Sequence, residues 1–184
     1  GKWMLHQAIS TCSRWQKYIP NFRININLSY VQVMKSRVLT EILTALRLYG
    51  LEPSAVGIEL TESGYLDTNT HFQKLWDGLK KNGVLVILDD FGTGYSSLNH
   101  IREMPIDVIK IDRCFIIDIG KDDFSNAFVK MVAELASAID VNVCVEGVET
   151  KEQLDILMGS KIQLIQGFYF GRPMTARAFE EKYL

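Results

Sequence analysis

The chain has 184 residues, of which 47% are hydrophobic and 23% charged, with a formal net charge of −2. That composition supports one hydrophobic core and speaks against a general DNA- or RNA-binding surface, which needs an excess of positive charge. Three scattered cysteines without a CxxC pair argue for a reducing compartment over a disulfide framework, and no apolar run approaches the ~20 residues that span a bilayer.

Trp3, Leu5, Ala8, Ile9, Cys12 and Trp15 recur near a helical period, so a helix is expected from Lys2 to Tyr18. Phe22 to Leu28 reads as a strand. Val38, Ile42, Ala45, Leu46 and Tyr49 predict a second helix, stopped by Gly50 as its C-cap. Val56 to Thr61 is a strand, and Phe72, Leu75, Trp76 and Leu79 lie on a helix closed by Asn82-Gly83. Val84 to Asp89 is a strand, Ser96 to Met104 a short helix ended near Pro105, and Val108 to Asp112 a strand. Phe124, Phe128, Met131, Leu135 and Ala138 predict a long helix. Asn142 to Gly147, Lys151 to Leu157, Leu164 to Gln166 and Ala176 to Tyr183 follow as strand, helix, strand and helix. Strands alternating with helices, without hairpin signals, predict parallel strands joined by helical crossovers in a single domain.

The phase of side chains along these strands carries the functional signal. Asn25 and Asn27 share one face of the first strand, opposite Ile24, Ile26 and Leu28. Glu59 and Thr61 oppose Val56, Ile58 and Leu60. Asp89 follows Leu85 and Ile87 and is itself followed by Asp90. Lys110 is in phase with Asp112, Glu146 with Cys144, and Gln166 with Leu164. A satisfied polar cap explains any one of these. Repetition at the C-terminal ends of successive strands points instead to a shared site, since parallel α/β folds collect their functional groups there.

The pooled candidates are Asn27, Glu59, Asp89, Asp90, Lys110, Asp112, Glu146 and Gln166. Oxygen donors without histidine or thiolate suit hard divalent ions such as Mg²⁺ or Mn²⁺. Converging carboxylates repel one another without metal, so a two-metal site that activates water for phosphoryl displacement is expected. His6, His71 and His100 have no metal-ligand spacing. Lys110 supplies fixed positive charge for the water or the developing phosphorane; a plain ion pair with Asp112 is the alternative. The loop Phe91-Gly92-Thr93-Gly94-Tyr95 contains DFG, yet the other kinase motifs are missing. Ser97 stands where a dinucleotide fingerprint needs its third glycine, and no P-loop is present. A glycine loop over a phosphate-bearing ligand, or a simple tight turn, remains.

Taken together, six segments resemble the EAL domain family of cyclic di-GMP phosphodiesterases. They are NLSYVQ (Asn27 to Gln32), ELTES (Glu59 to Ser63), LDDFGTGYSSL (Leu88 to Leu98), IDVIKIDRCFI (Ile106 to Ile116), VEGVET (Val145 to Thr150) and QGFYFGRPM (Gln166 to Met174). The resemblance implies an α/β, (β/α)₈ TIM-barrel-like fold and metal-dependent hydrolysis of cyclic di-GMP to linear pGpG in bacterial signalling. It implies Asn27, Glu59, Asp89 and Asp90 as metal ligands and Lys110 as the catalytic lysine. Glu146 is implied as a metal or water contact and general base. Glu62 would steady the loop after Asp90, and Asp112, Glu149 and Gln166 match further active-site positions.

The namesake Glu-Ala-Leu does not occur before Asn27, and Gly1-Lys2-Trp3 resembles the helix that follows that strand. Residues 1–184 are therefore expected to form one EAL-type domain lacking its N-terminal strands, with about six of the eight strands of a closed barrel. A fragment without that glutamate is expected to be weakened or inactive. A cyclic di-GMP receptor without turnover is the alternative function, and a scaffold assembled through exposed strand edges a third. A cytoplasmic setting is expected, with no membrane contact from this segment. Homodimerisation and an upstream sensory or diguanylate cyclase module complete the expectations.

Overall fold

The computed structural model describes residues 1–34, 37–61, 70–94, 101–102 and 104–184. Among the described residues, six strands form one sheet in chain order, β1-β2-β3-β4-β5-β6, the order that consecutive right-handed crossovers produce. The chain divides into two compact units, Gly1–Ile87 with Met174–Leu184, and Leu88–Pro173.

The first unit opens with α1 (Lys2–Trp15), whose buried Leu5, Ile9, Cys12 and Trp15 form one helical stripe. The helix stops short of the expected Tyr18. Pro20 disfavours helical backbone at Ile19, and Asn21 adopts a positive φ of 63°. The chain then enters β1 (Ile24–Asn27) and a single turn, α2 (Tyr30–Val33), held by a capping box between Ser29 and Gln32. In α3 (Val38–Tyr49) the buried residues are Val38, Ile42, Ala45 and Leu46. Gly50 ends it as expected, at φ 62°, and Leu51 N–H donates back to the Leu46 carbonyl at 3.0 Å.

A 3₁₀ turn at Pro53–Ala55 leads into β2 (Val56–Thr61). Strands β1 and β2 are parallel, pairing Asn25 with Gly57 and Asn27 with Glu59. From Val56 to Leu60 every residue of β2 is buried, as expected of a parallel strand covered on both faces. Phe72, Leu75, Trp76 and Leu79 of α4 (Thr70–Lys81) are also buried. Each is worth roughly 1.5–3 kcal/mol of transfer free energy. The last helix, α8 (Ala176–Tyr183), belongs to this unit although it buries no residue. Phe179 stacks on Trp15 at 4.3 Å, and Glu180 accepts from Trp15 Nε1 at 2.8 Å and Arg14 Nη2 at 2.9 Å.

The sheet continues through β3 (Leu85–Phe91). In the second unit, β4 (Val108–Ile111) and β5 (Asn142–Val145) are parallel, with Lys110 beside Cys144. The short β6 (Leu164–Ile165) pairs parallel with β5. All four residues of β4 are buried, Lys110 among them. A single-turn helix, α5 (Cys114–Ile117), follows β4, and the long helix is α6 (Asp123–Ala138). Its cap is Asp122, which accepts from Ser125 N–H at 2.8 Å.

The stripe that announces α6 in the sequence is not its buried face. Val129, Val132, Ala133 and Ala136 are buried, whereas Phe124 is 68% exposed and Met131 is exposed. Phe124 and Phe128 instead form an aromatic ladder with Phe115, whose ring lies 4.0 Å from that of Phe128. Helix α7 (Lys151–Leu157) starts with a capping box between Thr150 and Gln153. The helix expected from Ser96 to Met104 lies largely outside the described residues.

Candidate active site

In the second unit two adjacent aspartates, Asp89 and Asp90, precede the last residue of β3, Phe91. Alternation along a strand would send them to opposite faces. Asp89 keeps strand geometry and is 7% exposed, whereas Asp90 turns to φ 55°, a left-handed conformation that aspartate tolerates better than most residues. The departure brings both carboxylates to one place. Among the described residues, Asp89, Asp90 and Glu146 each offer an oxygen, and these lie within 4.8 Å of one another. Glu146 arrives at the end of β5, where its N–H donates to the Ile111 carbonyl at 3.1 Å.

Lys110 sits in this cluster, 4% exposed. Its Nζ donates to Asp89 Oδ1 at 2.8 Å and lies 2.6 Å from Glu146 Oε1. The expected alternative pairing was with Asp112, two residues along the strand. Asp112 instead accepts the Cys114 N–H at 2.8 Å, an Asx turn that starts α5. Burial pushes the Asp112 carboxyl up, but hydrogen bonds from Cys114 and Arg113 and the Arg113 charge outweigh it, so the net shift is downward. The Asp90 carboxyl is raised by burial first, then by the Asp89 and Asp112 charges, against the opposing pull of Lys110. Among the described residues, Lys110 thus stands against several close carboxylates. Its oxygen-only donors and excess negative charge fit a hard divalent ion.

The loop after Asp90 begins as a turn, with Thr93 donating to the Asp90 carbonyl through N–H at 3.3 Å and Oγ1 at 2.9 Å. Gly92 has φ 97°, and a Cβ there would meet the Phe128 and Phe115 rings at 2.6 and 2.7 Å. This glycine is needed for the turn and for aromatic packing. The loop beyond Gly94, and Glu62, lie outside the described residues.

In the first unit Glu59 is 5% exposed and stands in register with Asn27, so two expected ligands lie side by side on neighbouring strands. Glu59 Oε1 accepts from Asn25 Nδ2 at 3.1 Å. Asn25 is absent from the candidates that the sequence pattern selects. Its i, i+2 relation to Asn27 on one strand face was the available signal.

Two expected site residues act here through their backbone. Glu149 is exposed, and its N–H donates to Gln153 Oε1 at 2.8 Å, supporting the α7 cap. Gln166 is exposed; its N–H donates to the Val145 carbonyl at 2.8 Å and its carbonyl accepts from Val148 at 3.2 Å. Gly167 follows, packed so tightly on the Val148 backbone that any Cβ would collide with it.

Parallel strands alternating with helices define a TIM-barrel-like α/β protein, and the acidic group Asp89, Asp90 and Glu146 at its strand ends could hold a metal ion. The EAL domain family model matches residues 1–173, and the chain belongs to the EAL family. Cyclic di-GMP phosphodiesterase PdeR of Escherichia coli is 33% identical over 183 residues, covering 100% of this chain and 28% of that protein. The bifunctional diguanylate cyclase/cyclic di-GMP phosphodiesterase MucR of Pseudomonas aeruginosa is 33% identical over 177 residues, covering 96% of this chain and 26% of MucR. The structure of the MucR phosphodiesterase in complex with c-di-GMP matches with a TM-score of 0.91 over 97% of this chain and 73% of that one. Klebsiella pneumoniae BlrP1, solved as a manganese/cy-diGMP complex, matches with a TM-score of 0.84 at 29% identity over 93% of this chain and 43% of that one. The fold is thus the TIM-barrel-like EAL fold. The chain spans about a quarter of the length of these two curated relatives.

Proposed function

We propose that the protein carrying this chain hydrolyses one phosphodiester bond of cyclic di-GMP, releasing linear pGpG, with Mg²⁺ or Mn²⁺ at a two-ion site. One observation carries the reading: a buried lysine clamped between Asp89 and Glu146, with Asp90 beside them, in a chain whose family relatives include cyclic di-GMP phosphodiesterases. Asp89, Asp90 and Glu146 would hold the metal, and the family resemblance proposes Asn27 and Glu59, in register on β1 and β2, as metal ligands as well. When bound, divalent ions polarise a phosphoryl oxygen and lower the pKa of water.

The chain's own residues do the rest. Glu146 accepts the proton of the attacking water. The Lys110 ammonium, held by Asp89 and Glu146, meets the negative charge that builds on the phosphoryl group. By the same resemblance Glu62 carries the family's loop-stabilising role, and Asp112, Glu149 and Gln166 match further active-site positions. The proposed setting is cytoplasmic; no helix among the described residues is long and apolar enough to cross a membrane. A homodimer, and a sensory or cyclase module preceding the chain, belong to the same proposal.

The test is to incubate the protein with cyclic di-GMP and either metal and to follow pGpG chromatographically. Lys110→Ala and Glu146→Gln are each expected to lower turnover by roughly 10²–10⁴-fold. Tight cyclic di-GMP binding without pGpG, with either metal, would establish a receptor instead.

A further inference from the structure

Asn25 lies two residues before Asn27 on the same face of β1, in register with Gly57. Its side chain crosses diagonally to the next strand, where Nδ2 donates to Glu59 Oε1 at 3.1 Å. The amide orientation follows from chemistry, because an ionised carboxylate only accepts hydrogen bonds and so the NH₂ end must face Glu59. Gly57 makes the reach feasible. A Cβ at that position would come within 2.5 Å of Asn25 Oδ1 and of Ile87 Cδ1. Asn25 is exposed and its acceptor is buried, so the amide is anchored to the sheet through the carboxylate.

The geometry points to Asn25 as a positioning residue that fixes the Glu59 carboxylate for a divalent cation, with Gly57 as the gap that admits it. This rests on the reading of Glu59 as a ligand. A ligating carboxylate held by a neighbouring donor loses less rotamer freedom when it binds metal. In this role Asn25 acts only through Glu59. Alanine at Gly57 is expected to displace the amide and reproduce the loss of Asn25.

The experiment titrates the protein with MnCl₂ alone by calorimetry and records its melting temperature without metal. Glu59→Ala is expected to weaken Mn²⁺ binding. Asn25→Ala is expected to weaken it roughly 10-fold, at the lower end for outer-shell partners, with the metal-free melting temperature unchanged. Asn25→Leu, similar in size and without a donor, carries the same expectation if the alanine variant does not fold. On a Glu59→Ala background Asn25→Ala should cost nothing further. Unaltered affinity in the Asn25 variants while Glu59→Ala weakens binding overturns the positioning role alone, as does a further loss in the double variant. Unaltered affinity in Glu59→Ala overturns the ligand reading beneath it.

Discussion

At the residue scale, position in a strand accounts for identity, and local backbone accounts for orientation. Asp89 and Asp90 converge because one of them leaves strand geometry at φ 55°. Cys114 shows how burial and a neighbouring carboxylate together set reactivity. The residue is exposed, yet its thiol is pushed up to about 11, first by partial burial and then by the Asp112 carboxylate it contacts. A raised thiol holds its proton through neutral pH, and the thiolate is the nucleophile. From the usual 9.0 to about 11 is two pH units, or about a hundredfold less thiolate at pH 7.5. Iodoacetamide labelling of Cys114, followed by peptide mass spectrometry, should therefore be slow at pH 7.5 and accelerate about tenfold per pH unit towards 11. Asp112→Asn should speed it at every pH below that. Labelling at pH 7.5 as fast as free cysteine would refute the assignment.

At the element scale, much of the fold was legible. Helix α3 kept its expected stripe and its Gly50 cap, and β2 matched its expected bounds, because several independent signals agreed at each. The single-turn helices α2 and α5 escaped notice, since four residues are too few to display a helical period. In α6 the aromatic residues marked the helix but misdirected the core face. They had ring partners at Phe115 and Phe91, which no local pattern reveals. Helix α7 invites a test of its start. Thr150 accepts from Gln153 N–H at 3.3 Å, while Gln153 Oε1 accepts from Thr150 N–H at 3.1 Å and Gln153 Nε2 donates to the Ile116 carbonyl at 2.9 Å. Thr150→Ala should lower unfolding free energy by about 1 kcal/mol in urea titrations. Gln153→Ala should cost more, because it also leaves the Ile116 carbonyl without that donor.

At the scale of the whole molecule, family membership and acidic clustering converge on cation dependence. A ligand that binds the native state alone stabilises it by mass action, about 2.7 kcal/mol at one hundred times its dissociation constant. Mn²⁺ should raise the melting temperature, and EDTA should reverse the rise. Asp89→Asn should blunt it, and an equal rise in that variant would place the cation elsewhere. The sequence by itself determined the alternation of strands and helices, the family, and the strand-end placement of Asn27, Glu59, Asp89, Lys110 and Glu146. The alternation and the placement follow from periodicity and side-chain phase, and the family from the motifs that carry the resemblance, all of which are local quantities. Only the tertiary structure decided that Lys110 pairs with Asp89 and Glu146 while Asp112 serves an Asx turn, and that Asn25 reaches Glu59 over a glycine. Such choices depend on strand register and on distances between residues far apart in the chain, and no run of neighbouring residues encodes them.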